Sequence, residues 1–407
     1  MNCRMLVAGL SLLGGLPLPL LAQIDPVKRD LLEAGYQQAF EGHGPFPGYG
    51  YYYMNRPEFL EHTNLALRLA IAPVYLDGEL GIRNVLPDTD LGLGINGGGF
   101  AYDYYEVRQG KYYHEESFIG HGGGVSVSLY HLLNPGAMIP LTAVLRGVLP
   151  YTFYERDTLT APNFKVPDAL ADPTVRAGFR WGGQEPVLAP NLAMEVSGWY
   201  EGQFRLDAGP YGYNGDRQIE PVVHLFWGRT AFIYTFPELR HRIELHVTGG
   251  GSVHPDRFSA YRLGGMLDLA SEFPFDLPGY YFQELSARNF VLMGGSYSVP
   301  LDKADRLELS AGGVTGSVAY TPGDAQPGNW NSGVSGTLTY NSPARAWKLQ
   351  LSYGYGFDAI RSHGRGANSV ALLMQLDLAK SGADRPNWNQ FNRGNFIQRL
   401  LEPFEHW

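Results

Sequence analysis

The chain has 407 residues and a formal net charge of −9; 17% are charged, well under the ~25% of ordinary soluble domains, while Gly (52) and Tyr (26) are abundant. The acidic balance argues against nucleic acid as a partner, and no run of 18 or more apolar residues follows the N-terminal leader, which excludes a helical membrane protein. The single cysteine, Cys3, lies in that leader, so the mature chain has no disulfide and no cysteine-based metal site.

In chain order, Arg4 precedes an apolar stretch from Met5 to Leu21, and Ala22 stands ahead of Gln23: residues 1–22 read as a signal peptide. Residues 23–48 form a short N-terminal segment, in the periplasm or the barrel mouth. Within it, Asp25-Pro26 ahead of Val27 to Phe40 predicts a capped helix of three or four turns. Strand-like runs then cover 64–76, 79–86, 90–107, 117–132, 137–155, 174–183, 191–206, 217–228, 231–236, 240–252, 286–301, 305–320, 331–340, 347–357 and 366–379.

The clearest run is Asn191 to Leu206. Its even positions from Leu192 are all apolar or Gly, and its odd positions carry Asn191, Glu195, Ser197, Glu201, Gln203 and Arg205, with Ala193 and Trp199 the exceptions. At about 3.3 Å per residue the run is roughly 50 Å long, ample for the ~9–11 residues of a tilted membrane strand. Trp347 to Phe357 and Ser369 to Leu378 repeat the alternation, and a helix cannot produce it, because residues two apart would fall about 200° apart around its axis. The fold class is therefore all-β: a transmembrane antiparallel β-barrel of 14–16 strands, 16 favoured, over residues 49–379, with a short N-terminal helix and a C-terminal tail at 380–407. Bacterial barrels of this kind have even strand numbers, so Phe258 to Leu269 is a candidate for the sixteenth. Asp302-Lys303-Ala304 and Ser342-Pro343-Ala344 read as periplasmic turns, and Asp207 to Asp216 and Pro322 to Gly328 as outer loops.

Motifs that carry chemistry are weak here. Gly92-Leu93-Gly94-Ile95-Asn96-Gly97 matches a dinucleotide fingerprint in letters but runs on into β-like sequence, so it reads as strand glycine. Gly120-His121-Gly122-Gly123-Gly124 is superficially like an oxyanion-hole loop, yet no G-x-S-x-G elbow exists; a triad would have to assemble in space from His121, His131 or His224. His241 and His246 fall on opposite faces of a strand, a poor metal pair. No cofactor, metal or catalytic residue is expected. Glu195, Glu201, Arg205, Arg262, Glu272, Glu284 and Arg288 lie in or beside strands and should face the lumen, because each costs a few kcal/mol near the lipid midplane. Crossed ion pairs in a wet wall or a selectivity role would both use them.

Phe258-Ser259-Ala260-Tyr261-Arg262-Leu263-Gly264-Gly265, then Leu277-Pro278-Gly279-Tyr280-Tyr281, then a strand ending Tyr297-Ser298-Val299-Pro300-Leu301, resembles the C-terminal half of the bacterial surface antigen superfamily. These are the barrels of BamA/TamA-type outer-membrane assembly factors, two-partner secretion transporters and patatin-type secreted lipases. The resemblance implies an inward-folded loop carrying Arg262, Leu263, Gly264, Gly265, Pro278, Gly279 and Tyr280, followed by five strands, and five strand-like runs do follow Tyr281. Pro278 stands where the family's loop arginine would be, so the loop-to-wall ion pair needs a substitute, Arg288 or Arg262. Only about 40 mature residues precede the first expected strand, too few for a periplasmic polypeptide-transport module beside the N-terminal segment, and no hydrolase domain is present. The expected role is outer-membrane structure or transport, with a part in protein assembly or translocation. The alternatives are a porin-like diffusion channel and, behind it, an outer-membrane hydrolase. Expected partners are outer-membrane lipid and other outer-membrane or periplasmic proteins, around a monomer.

Overall fold

The computed structural model describes residues 28–60, 63–100, 102–137, 139–183, 192–267, 275–362 and 364–380. The leader, the tail beyond Lys380 and Glu272 lie outside them. Sixteen strands form the wall: β1 (Arg29–Ala39), β2 (Gly48–Arg56), β3 (Leu65–Ala72), β4 (Tyr75–Leu86), β5 (Thr89–Gly98), β6 (Phe118–Leu132), β7 (Leu141–Arg156), β8 (Thr174–Gly183), β9 (Leu192–Phe204), β10 (Val222–Thr235), β11 (Arg242–Val253), β12 (Leu285–Pro300), β13 (Leu307–Tyr320), β14 (Trp330–Asn341), β15 (Trp347–Arg361) and β16 (Gly364–Asp377). Each pairs antiparallel with its sequence neighbour, and β1 pairs with β16 from Leu31↔Asp377 to Ala39↔Ser369, so the sheet closes on itself. Pairing is shortest between β2 and β3, running only from Tyr52↔Ile71 to Arg56↔Leu67.

The side-chain period of two turns this ring inside out relative to a soluble protein. On β9, Glu195, Ser197, Glu201 and Gln203 are buried inward, while Phe204 is exposed outward. Val125, Val127 and Leu129 on β6, Phe226 and Phe232 on β10, and Leu351, Tyr353 and Phe357 on β15 stand 40–58% exposed on the outer face. A continuous apolar exterior of this extent is what a bilayer requires and what water would penalise. The turns at 87–88, 301–306 and 342–346 share one end with the start of β1 and the end of β16; the long connections 99–117, 157–173, 205–221 and 254–284 leave the other.

The N-terminal segment corrects the sequence reading. Residues 29–39 are strand, not helix, and the barrel starts there rather than at residue 49. Leu31, Leu32, Glu33, Ala34 and Gln37 are good helix formers, but propensity is worth only tenths of a kcal/mol per residue. Without β1, the facing edges of β2 and β16 would leave backbone N–H and C=O groups unpaired in lipid, at several kcal/mol each. Glu33 pins the seam from the lumen side, accepting hydrogen bonds from Tyr51 of β2 and Gln375 of β16. Strand β2 was missed because its Gly48-Tyr49-Gly50-Tyr51-Tyr52-Tyr53 run puts aromatics on both faces. The runs 217–228 and 231–236 yield one wall strand, β10, which passes through Gly228 without a break, while Arg217 and Gln218 pair with Tyr211 and Pro210 in the preceding connection. Phe258 to Leu269 does not supply a sixteenth wall strand: within its described residues only the three-residue ladder Tyr261–Leu263 pairs with the wall, against the first residues of β12, and these residues are buried.

Ala34 and Met374 face each other across the seam. Substituting both (Ala34→Cys, Met374→Cys) in a chain whose mature part has no other thiol is expected to give a disulfide that keeps heated, unreduced protein in a compact gel form. A folded barrel that forms no such cross-link under oxidation would remove residues 29–39 from the seam.

Candidate functional site: the loop-filled lumen

Two unlike walls face each other across the lumen. On β3, β4 and β7–β10 the inward positions are ionic. Arg229 meets Glu195 at 2.7 Å, Arg176 meets Glu201 at 2.9 Å, Arg68 lies 3.6 Å from Asp77, and Glu79 accepts from Ser128 and Tyr130. On β12–β15 charge is scarcer: Ser298–Ser310 and Thr337–Ser352 pair as hydroxyls at 2.6 and 2.8 Å, and Gly333, Gly354 and Gly356 leave the inner face of β14 and β15 low.

The described parts of the β11–β12 connection, 254–267 and 275–284, fold into this space, and the tip lies on the glycine side. After Tyr261–Leu263, Gly264 and Gly265 take positive φ (126° and 97°), and Gly265 bridges to Leu277. The tip Pro278-Gly279-Tyr280 then rests directly on β14 and β15. A Cβ on Gly279 would collide with the backbone of Gly356, and one on Gly333 with the carbonyl of Pro278, so the approach needs Gly on both surfaces. Tyr280 donates to Asn331 of β14 at 3.0 Å. From β1, Gln37 donates to the Tyr280 carbonyl at 2.7 Å and accepts from the Met266 N–H at 2.8 Å, which ties the loop to the seam strand. Leu263, Phe275, Leu277 and Tyr280 pack with Phe290, Leu292, Val318, Ala359 and Ala367 into an apolar core inside the lumen.

The loop-to-wall ion pair exists with its polarity reversed. Arg361, at the end of β15, grips Glu284 of the loop through two bonds of 2.7 and 3.0 Å, both side chains 1% exposed, and stacks 3.8 Å from the Tyr281 ring. Arg262 does not serve this role; it donates to Ser286 Oγ and the Tyr105 carbonyl. Arg288 is not a lumen residue either. It sits on a bulge of β12 with its side chain exposed.

Above the plug, charges knot the long connections together. Arg108 clamps Glu116 at 2.7 and 2.8 Å; Arg217 bonds Glu116 and lies 3.4 Å from Glu106; Arg257 reaches Glu106 at 2.6 Å and Asp324 at 3.7 Å. Arg205 bonds Asp256 and approaches Asp172 to 3.4 Å, and Asp256 in turn caps the N–H groups of Phe258 and Ser259. Burial opposes ionisation of Glu106 and Glu116, but the surrounding guanidiniums outweigh it and hold both below the usual carboxylate range. Asp324 goes the other way. Burial, with Glu106 beside it, pushes its carboxyl up to about 6 despite Arg257.

Of the residues singled out from sequence, Glu195, Glu201, Arg205 and Glu284 are buried among lumen partners. Gly92 to Gly97 lie within β5. His121, His131 and His224 fall on outward positions, beside Glu155, Thr89 and Tyr200 respectively, so they do not supply a common base to a lumen site. Sequence reasoning missed Gln37, Glu106, Glu116 and Arg361. Arg361 lay beyond the expected end of β15, and Gln37 was hidden in the helix reading.

No family model matches the chain, and no curated protein matches it. Among solved structures it is similar to CdiB from Acinetobacter baumannii (TM-score 0.55, 11% identity, 86% of this chain and 60% of that one). It is also similar to BamA from Haemophilus ducreyi lacking POTRA domains 1–3 (TM-score 0.54, 10% identity, 85% of this chain and 70% of that one). The likeness is one of fold, and the chain spans about 60% of the length of the CdiB chain.

Breaking one half of a buried ion pair strands the other charge, at a cost of about 3–5 kcal/mol. Arg361→Ala and Glu284→Ala are each expected to release the loop to added protease, and the double variant to lose less than the sum of the two. Additive losses would mean the pair does not hold the loop.

For Asp324 the folded-state pKa is above its ordinary value, so its contribution to stability falls as pH rises from about 4 to 6; Glu106 and Glu116 contribute stability that is lost as pH falls below about 4.5. Protease resistance of the 99–117 and 321–329 connections is therefore expected to peak at about pH 4.5, and Asp324→Asn to flatten the decline between there and about pH 6. Superimposable wild-type and variant profiles would sink this assignment.

Proposed function

We propose that this chain is an outer-membrane barrel protein of a Gram-negative-type bacterium that handles polypeptides, translocating them across the membrane or assisting insertion of other outer-membrane proteins. The observation that carries this reading is the 254–284 connection. It is folded inward, seated on a glycine surface, latched by Arg361 and Glu284, and followed by five wall strands. Held at the seam strand, the wall and the neighbouring loops at once, this loop fills the path that small solutes would take, which favours the polypeptide reading over an open pore. The shared fold with CdiB and BamA supports the same reading. In it the chain works as a monomer surrounded by outer-membrane lipid, with other outer-membrane or periplasmic proteins as partners and without cofactor or catalytic residue.

The second reading, a diffusion channel, draws on the ionic wall of β7–β10, whose charges would set solute preference once the lumen were open. The two readings separate in planar bilayers. A plugged conduit is expected to be nearly silent as wild type and to show large conductance steps once residues 266–282 are replaced by a short Gly/Ser linker; steady wild-type conductance would favour the channel. Depletion from cells is expected to lower the level of other outer-membrane or secreted proteins, and unchanged levels would overturn the polypeptide role.

A further inference from the structure

Between the root of the loop and the β7–β9 wall lies a cavity of about 150 Å³ that five arginines line: Arg146, Arg176, Arg205, Arg257 and Arg262. Three of them have carboxylates. Arg176 has Glu201, Arg205 has Asp256 and Asp172, and Arg257 has Glu106. Among the described residues the other two have none within ion-pair distance. Arg146, on β7, is 5% exposed; it donates one hydrogen bond, to Ser126 Oγ at 2.9 Å, and its Nε is buried with no acceptor. Arg262, at the loop root, is 9% exposed; it hydrogen-bonds a serine hydroxyl and a backbone carbonyl and lies 5.7 Å over the Tyr104 ring.

The register sharpens the imbalance. Arg146 lies directly opposite Arg176 across the β7–β8 pair, a like-charge juxtaposition that destabilises a sheet unless something compensates it. Glu201 is already committed to Arg176 and Gln203, Glu79 to Ser128 and Tyr130, and Asp77 lies nearest Arg68 at 3.6 Å, so these carboxylates reach Arg146 only from beyond ion-pair distance. A buried guanidinium left without a counter-charge costs several kcal/mol, and its planar fork of donors suits an oxygen pair on one centre. The volume is enough for one such group with a few waters, at about 30 Å³ per water.

We infer that this cavity binds a small oxyanion, a phosphate or carboxylate group, with Arg146 of the wall and Arg262 of the loop as its ligating cations. Because one ligand belongs to the wall and the other to the loop, the anion ties the loop root to β7, on the side of the lumen away from the Arg361–Glu284 pair. The site is independent of whether the barrel carries polypeptides or solutes.

The test uses the full chain folded in detergent micelles, titrated by calorimetry and by thermal unfolding with sodium phosphate, sodium acetate or sodium chloride at matched ionic strength and pH 7.5. Saturable binding is expected for phosphate or acetate and not for chloride, with an unfolding temperature that climbs as the logarithm of anion concentration. Which of the two binds more tightly identifies the oxyanion. Arg146→Gln and Arg262→Gln are each expected to weaken binding about tenfold or more, Arg146→Lys less, and the rim variant Arg240→Gln not at all. Wild-type protein that responds alike to all three salts, or glutamine variants that fold and bind as wild type does, would overturn the assignment. The wild-type comparison decides the matter even if a variant fails to form the heat-modifiable barrel.

Discussion

Every feature of this molecule follows from the need to pair the backbone of a sheet that lipid surrounds. An open edge is not tolerable there, so the sheet must return to its first strand, and β1 does this by pairing with both β2 and β16. Once the ring is closed, the two-residue period sorts side chains without further instruction: Val125, Val127 and Leu129 go out, and Ser126, Ser128 and Tyr130 go in. The ionic lining is then a consequence of exclusion from the exterior as much as a choice for the interior.

Closure also decides where the interior loop can sit. The walls are not equivalent, because β7–β10 fill their inner face with long charged side chains while β14 and β15 turn Gly333, Gly354 and Gly356 inward. Pro278, Gly279 and Tyr280 occupy the glycine side, where backbone can meet backbone. The polar contacts that fix them come from three sources far apart in sequence: Gln37, Asn331 and Arg361. The plug therefore belongs to the whole ring, and its energetics cannot be divided from those of the seam.

What could be read from the sequence was whatever alternates. Strands β9, β15 and β16 declare themselves because a polar inner face and an apolar outer face coincide with the pleat. Gly264, Gly265 and the Pro278-Gly279-Tyr280 tip mark the β11–β12 connection in the sequence, and five strands follow it. Strand β1 is not legible in the sequence, since Leu31 to Ala39, Gly35 and Tyr36 apart, consists of helix formers and only the presence of β2 and β16 makes it a strand. The Arg361–Glu284 pair was equally hidden: the partners stand 77 positions apart, and nothing local marks either as the other's counter-charge. Arg288 misled for a related reason, because a bulge shifts the inside-outside alternation by one residue, and no sequence pattern announces a bulge.

The brief contact between β2 and β3 gives the cylinder an uneven hoop strength. Sideways strain from membrane tension, or from something forcing the wall apart, would concentrate on the junction carrying the fewest cross-links, which is not the place where the first and last strands meet. In mechanical terms the ring has its perforation one strand further on, and a lateral tear would start there while the terminal closure held.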